Sequence, residues 1–263
     1  MKLTRHMSLR KAAVGLGLGL AVGSAQAVTV GGVTWDPNDF FDFTAGDSMI
    51  ESIGSNVGDT IGGYARITAV NGAADSSYCA SGCELTYTFS GYTITNIDAG
   101  TGAFTFSGGV INIYADSTPN YSQALASTAG DGVLWLSLAG AAHIDGGTGQ
   151  SGTLHSDPTP TIGGVEGDGR GYLNVVGGLA AAYFDTDTFD IITAGGPATA
   201  DFLFTSSFQL LPNGSFTSDD GVEYGLFGTN DIQGDSVGIP APGTLALTGL
   251  ALFGAGFIRR RKA

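Results

Sequence analysis

Few residues of this chain are of a type that can do covalent chemistry, so their spacing matters. His143 and His155 are the histidines of the body of the chain, and Ser151 lies between them in Gly149-Gln150-Ser151-Gly152. A nucleophilic serine needs a base within hydrogen-bond reach and a strained turn that lifts its hydroxyl. Ser151 lacks the second flanking position of that turn, and no strand–turn–helix pattern surrounds it. His143 follows Ala141-Ala142 at the end of an apolar segment, where a histidine caps the edge of a core. Paired carboxylates, the other hydrolytic device, carry little weight among 24 acidic residues. None of the glutamates, Glu51, Glu84, Glu166 and Glu223, is marked by its neighbours as buried. A solvated acidic surface explains them more simply. A secreted hydrolase therefore ranks third among the functions considered, and the chain is read as non-enzymatic.

Calcium is the more credible ligand, because it takes carboxylate and carbonyl oxygens. Gly163-Gly164-Val165-Glu166-Gly167-Asp168 is close to the turn of calcium-loaded β-rolls, but Glu166 replaces a glycine and a single copy cannot stack. Asp185-Thr186-Asp187-Thr188-Phe189-Asp190 approaches an EF-hand loop, with its third acid one place late and its glycine and final glutamate missing. Asp219, Asp220 and Glu223 form another acidic cluster. Asp168, Asp219, Asp220 and Glu223 are thus the weak Ca2+ candidates, and no other cofactor is expected. Sugars would stack on aromatic platforms. Trp135, in Val133-Leu134-Trp135-Leu136, reads as core; Trp35, near Phe40-Phe41, either packs a first strand or forms an exposed patch.

The elements that position these residues are strands. In Glu84–Ile97, Leu85, Tyr87 and Phe89 alternate with Thr86 and Thr88, the period of two of a half-buried antiparallel strand. Gly102–Tyr114 repeats the pattern, with Gly108-Gly109 as a bulge or turn. Residues 132–138, 172–176, 201–211 and 222–227 are further strands, while 146–171 reads as a long glycine-rich surface loop. Helical signals are few: 120–127 suits two turns, and 175–183 is ambiguous. Many short strands without βαβ alternation predict an all-β domain over residues 28–236, an antiparallel, jelly-roll-like β-sandwich.

The two ends have other jobs. Residues 1–27 have Lys2, Arg5, Arg10 and Lys11, an apolar run from Ala12 to Val22 and a closing Ala25-Gln26-Ala27. That is the order of a secretory signal peptide cleaved after Ala27. Residues 239–263 begin with Pro240-Ala241-Pro242, continue through an uncharged segment at 244–258 and end in Arg259, Arg260, Arg261 and Lys262. The segment predicts a short transmembrane helix of about 22 Å at 1.5 Å per residue. The basic residues at 259–262 predict a cytoplasmic stop-transfer end. A sortase signal would need an LPxTG motif here, and a GPI signal would lack the arginines.

A proline motif, a short span and an arginine cluster together resemble the PEP-CTERM sorting signal. Pro240-Ala241-Pro242 stands where the family has Pro-Glu-Pro, Ala241 replacing the glutamate. The resemblance covers about the last 25 residues. It implies a substrate of an exosortase-type processing enzyme in a Gram-negative bacterium that makes extracellular polysaccharide. It also implies a cell-surface or extracellular product, held in the inner membrane only transiently.

Export sharpens two further readings. Cys79 and Cys83 are the only cysteines. A close pair in an oxidising compartment predicts a disulfide; zinc, the competing reading, has no second cysteine pair and no nearby histidine. All 24 acidic residues lie in 28–236 against Arg66 and Arg170, which leaves 22 net negative charges. That charge excludes nucleic acid as a partner and repels acidic polysaccharide unless divalent cations bridge them. The expected function is a non-enzymatic surface or matrix protein linked to exopolysaccharide, biofilm or floc formation. The alternative is a polysaccharide-binding module with Ca2+.

Overall fold

The computed structural model describes residues 27–79, 82–161 and 164–239. Nine strands make its wall: β1 (Phe41–Ser52), β2 (Thr60–Ile67), β3 (Glu84–Ile97), β4 (Phe104–Asp116), β5 (Val133–Ala141), β6 (Leu154–Thr161), β7 (Gly164–Gly177), β8 (Phe202–Leu210) and β9 (Glu223–Gly234). All pairings are antiparallel and follow chain order, and β9 returns to pair with β1 from Phe41↔Gly234 to Ser52↔Tyr224. β5 and β6 share one position between β4 and β7, β5 at one end and β6 at the other. The result is a closed eight-stranded barrel, not the expected jelly-roll-like sandwich. Period-two alternation does not separate the two architectures, because every strand has an inner and an outer face in both. Closure depends on long-range pairing and on local coiling. At Gly228 the β9–β1 register shifts, and a Cβ there would sit 1.8 Å from the Ser207 carbonyl oxygen. Only glycine permits that approach.

Most apolar side chains of the wall point in, and most hydroxyls and carboxylates point out. Leu85, Tyr87, Ile111, Ile113, Leu173, Phe204 and Ile232 are buried inside, while Thr88, Thr229 and Asp231 alternate with buried neighbours. A lipid-facing barrel has the reverse arrangement.

One end of the barrel is plugged. A hairpin, Val28–Val30 with Val33–Trp35, and a helical turn, Ala181–Phe184, fold across it. Trp35 stacks on Phe184 at 5.2 Å and meets Trp135 edge-on at 5.6 Å, with Phe41, Phe43 and Phe202 completing the cluster. Both indoles are satisfied: Trp35 Nε1 donates to Ser236 Oγ at 3.1 Å, and Trp135 Nε1 to the Val30 carbonyl at 2.9 Å. The Cys79–Cys83 disulfide, with Cα atoms 5.0 Å apart, is buried at this end, just before β3.

Several expectations change. The glycine-rich 146–171 stretch is mostly wall, not loop, supplying β6 and the first half of β7. Gly108-Gly109 causes no register shift; both residues take positive φ (75° and 90°) and the Tyr92 ring packs where a Gly109 side chain would be. The helix expected over 120–127 is a single 3-10 turn at Ala126–Ala129. Among the described residues no helix is long and apolar enough to cross a membrane. Transient inner-membrane anchoring is therefore not supported by the described residues, and the transmembrane helix predicted at 244–258 lies outside them. The segments behind the terminal readings, 1–26 and 240–263, lie outside the described residues, and with them Pro240, Ala241, Pro242, Arg259, Arg260, Arg261 and Lys262.

Candidate functional site

Between Ala141 and Leu154 the chain leaves the wall and makes a small excursion hairpin, His143–Ile144 with Ser151–Gly152. The excursion brings the two histidines together. Their rings meet edge to face at 4.8 Å, and His143 meets Tyr172 at the same distance. Burial holds both imidazoles below their ordinary pKa, so both are neutral at neutral pH. His143 Nδ1 lies 3.2 Å from the Ala141 carbonyl, and Asp145 is used within its own turn, accepting from the Gly147 and Thr148 amides and the Thr148 hydroxyl. Among the described residues no hydrogen bond joins Ser151 to either imidazole. The histidines pack as an aromatic pair, which matches the reading of His143 as the edge of a core.

Outward from His155, register arranges polar side chains in rows across β6, β7, β8 and β9. One row is His155, Arg170, Thr205 and Asp231; the next is Asp157, Asp168, Ser207 and Thr229. They line a surface groove with Asp145 at one side. Ser207 Oγ and Thr229 Oγ1 are 2.9 Å apart, and Arg170 Nη2 donates to the Tyr172 hydroxyl at 3.2 Å. Asp157 stands directly opposite Asp168. Like charges in that position repel, and a cation or a hydrogen-bonding partner would relieve them.

Of the calcium candidates, Asp168 alone is in this groove. Asp219, Asp220 and Glu223 already accept hydrogen bonds from the protein, Asp219 from the loop over residues 117–131. Asp219 accepts from the Ser127 hydroxyl and amide, which hold its carboxyl below the usual range. Asp220 accepts from the Val222 amide at 3.0 Å and the Tyr224 hydroxyl at 2.6 Å, and Glu223 from the Ser215 hydroxyl. Asp187 accepts from the Thr199 hydroxyl at 2.6 Å; buried Asp201 gathers the Thr186, Asp187 and Val175 amides. Among the described residues no group of three or more His, Cys, Asp or Glu is arranged to hold a metal ion. Trp35 and Trp135 are both in the plug, so neither is a sugar platform.

The lumen holds a residue the sequence reading passed over. At the end opposite the plug lies a cavity of about 50 Å3, bordered by Met49, Phe89, Tyr92, Phe106, Phe204, Ser156, Ser206 and Glu51. Gly167 and Gly169 of β7 face inward, and Phe208 and Ser206 take the space their side chains would need. Glu51 is half-buried and borders the cavity. Burial pushes the carboxyl up to about 8. Beside it the Tyr87 hydroxyl, itself pushed up by burial, donates to Asn230 Oδ1. The signal was parity. Opposite Gly228 and Asn230, β1 carries Met49 and Ala45, two residues more than a regular ladder needs, so Met49 and Glu51 keep the inward phase of Phe41 and Phe43. Without knowledge of that irregularity, Glu51 reads as one more surface acid.

Fold and site together define a class: a closed β-barrel with a polar outer wall, an aromatic plug at one end and a small apolar cavity at the other. Compared with protein-family models, curated proteins and solved structures, the chain matches none.

Proposed function

We propose that this chain is a non-enzymatic exported protein of an extracellular polysaccharide matrix, and that the groove over β6–β9 is the face that meets the polysaccharide. The observation that carries the reading is the pair of lateral rows, which place donors and acceptors at strand spacing, about 4.8 Å, with Asp157 facing Asp168. Hydroxyl-rich chains are bound by such hydrogen-bonding surfaces. Divalent cations can bridge the facing aspartates to an acidic polysaccharide, which keeps Ca2+ in the reading as a shared ligand, not a resident one. The PEP-CTERM-like tail supports export and an exosortase-type processing partner. The 22 excess negative charges argue against nucleic acid.

The test is co-sedimentation of the purified protein with polysaccharide from the producing cells, with and without millimolar CaCl2. Retention is expected, strongest with calcium, and lost in Asp157→Asn/Asp168→Asn. Equal retention of that variant would remove the groove from the proposal. Deleting the gene should reduce aggregation and polysaccharide retention; unchanged values for both would remove the matrix role.

A further inference from the structure

The Glu51 side chain borders the barrel cavity, and among the described residues no cation reaches it. The two arginines of residues 28–236 are both on the outer side: Arg66 pairs with Glu84 at 3.8 Å, and Arg170 lies over Tyr172. The titratable groups near Glu51 inside the barrel are Tyr87 and Tyr92, and Tyr87 is already committed to Asn230. A carboxylate in apolar surroundings must either keep its proton or find a positive partner. The cavity walls suit such a partner, because aromatic faces attract cations, and Phe89, Phe106 and Phe204 border the same space.

We propose that this cavity is a binding site for a small primary alkylammonium ion, with Glu51 as its counter-ion and the phenylalanine rings around its carbon chain. Size sets the limits of the ligand. A volume of about 50 Å3 admits roughly three or four water-sized spheres, at 10–15 Å3 each. That fits a chain of about two to four carbons and excludes larger rings. Phe104 and Phe208, both half-buried at this end of the barrel, also line the cavity. Protonated Glu51 gives up its proton to solvent when the ammonium ion enters, so binding releases about one proton per site. The support for the protonated resting state is the upward displacement of the Glu51 carboxyl by burial. The site is separate from the outer groove, and its failure would leave the polysaccharide reading untouched.

The test uses n-propylamine hydrochloride as the probe and 1-propanol as its neutral isostere. Titration calorimetry at pH 7 in two buffers of different ionisation enthalpy reads proton release, and the methyl resonance of Met49, which borders the cavity, locates the site. The expected result is saturable binding of propylamine, about one proton released, a displaced Met49 methyl signal and at least tenfold weaker binding in Glu51→Gln. A Met49 signal that propylamine leaves unmoved would overturn the proposal. So would undiminished binding in a folded Glu51→Gln protein, or equal binding of 1-propanol. Should Glu51→Gln fail to fold, proton release and the propanol comparison decide on the unsubstituted protein.

Discussion

The two ends of the barrel solve opposite problems. At the plugged end the hairpin, the disulfide and the Ala181–Phe184 turn converge on six large aromatic residues, and each indole nitrogen has an acceptor. At the other end the lining has an inward glycine, a cavity and a carboxyl that borders it. The first arrangement maximises buried apolar area, which drives folding. The second gives up some of that stability for space and polarity, as binding sites do. Stability should therefore be concentrated at the plug and pH sensitivity at the cavity.

The largest expected effect is at the plug. Phe184 is fully buried and touches Trp35, Phe41, Trp135 and Phe202. Phe184→Ala should lose about 3–5 kcal/mol in urea unfolding. Phe104→Ala, at a half-buried position beside the cavity, should lose about 1–2 kcal/mol, because less apolar area leaves water. Equal losses would erase the distinction between the ends.

The next effect belongs to Glu51. Its carboxyl titrates near 8 in the folded protein against 4.5 for an ordinary glutamate. Below about pH 4 both folded and unfolded chains keep the proton, and the stability difference is absent. As pH rises toward 8 the unfolded chain releases its proton first, so stability falls across that window by an amount on the order of 4 kcal/mol. Glu51→Gln removes this slope, and the variant should gain on the parent steadily from pH 5 to pH 8. Parallel pH profiles for the two proteins would contradict a carboxyl held protonated by the barrel.

A smaller effect is expected at the disulfide, which closes a loop with a sequence separation of 4. So short a loop restricts the unfolded chain little, and Cys79→Ser/Cys83→Ser should cost about 2 kcal/mol. Thiol labelling of the native, unreduced protein should give no signal. The smallest effect concerns the outer groove. Sodium chloride should raise the melting temperature by screening the 22 net negative charges. Calcium at matched ionic strength should raise it a little further, and Asp157→Asn should abolish the extra rise. Identical shifts from the two salts would leave screening alone.

Local pattern was legible where one strand explains itself. Glu84–Ile97 has in the structure the bounds its alternation predicts, and the neighbouring cysteines are bonded. Closure was not legible, because the β9–β1 pairing joins residues nearly two hundred positions apart and alternation carries no information about the partner. The strands of 154–171 were hidden by composition. Gly167, Gly169 and Gly171 occupy the inward positions where apolar residues would signal a strand, and they do so because Phe208, Ser206 and the Thr153 carbonyl fill the space a side chain would take. The groove was legible only as His155 and Asp168, unconnected; the partners of Asp168 in its row come from three other strands.

The contrast between the ends rests on the state of one carboxyl, and carbon NMR reads it directly. In uniformly 13C-labelled protein the Glu51 carboxyl resonance, assigned by its loss in Glu51→Gln, should titrate with a midpoint near 8, well separated from the exposed carboxylates. A midpoint in the ordinary range, near 4.5, would mean that water or a protein cation solvates the Glu51 carboxylate, and that the cavity is not the apolar site on which this account depends.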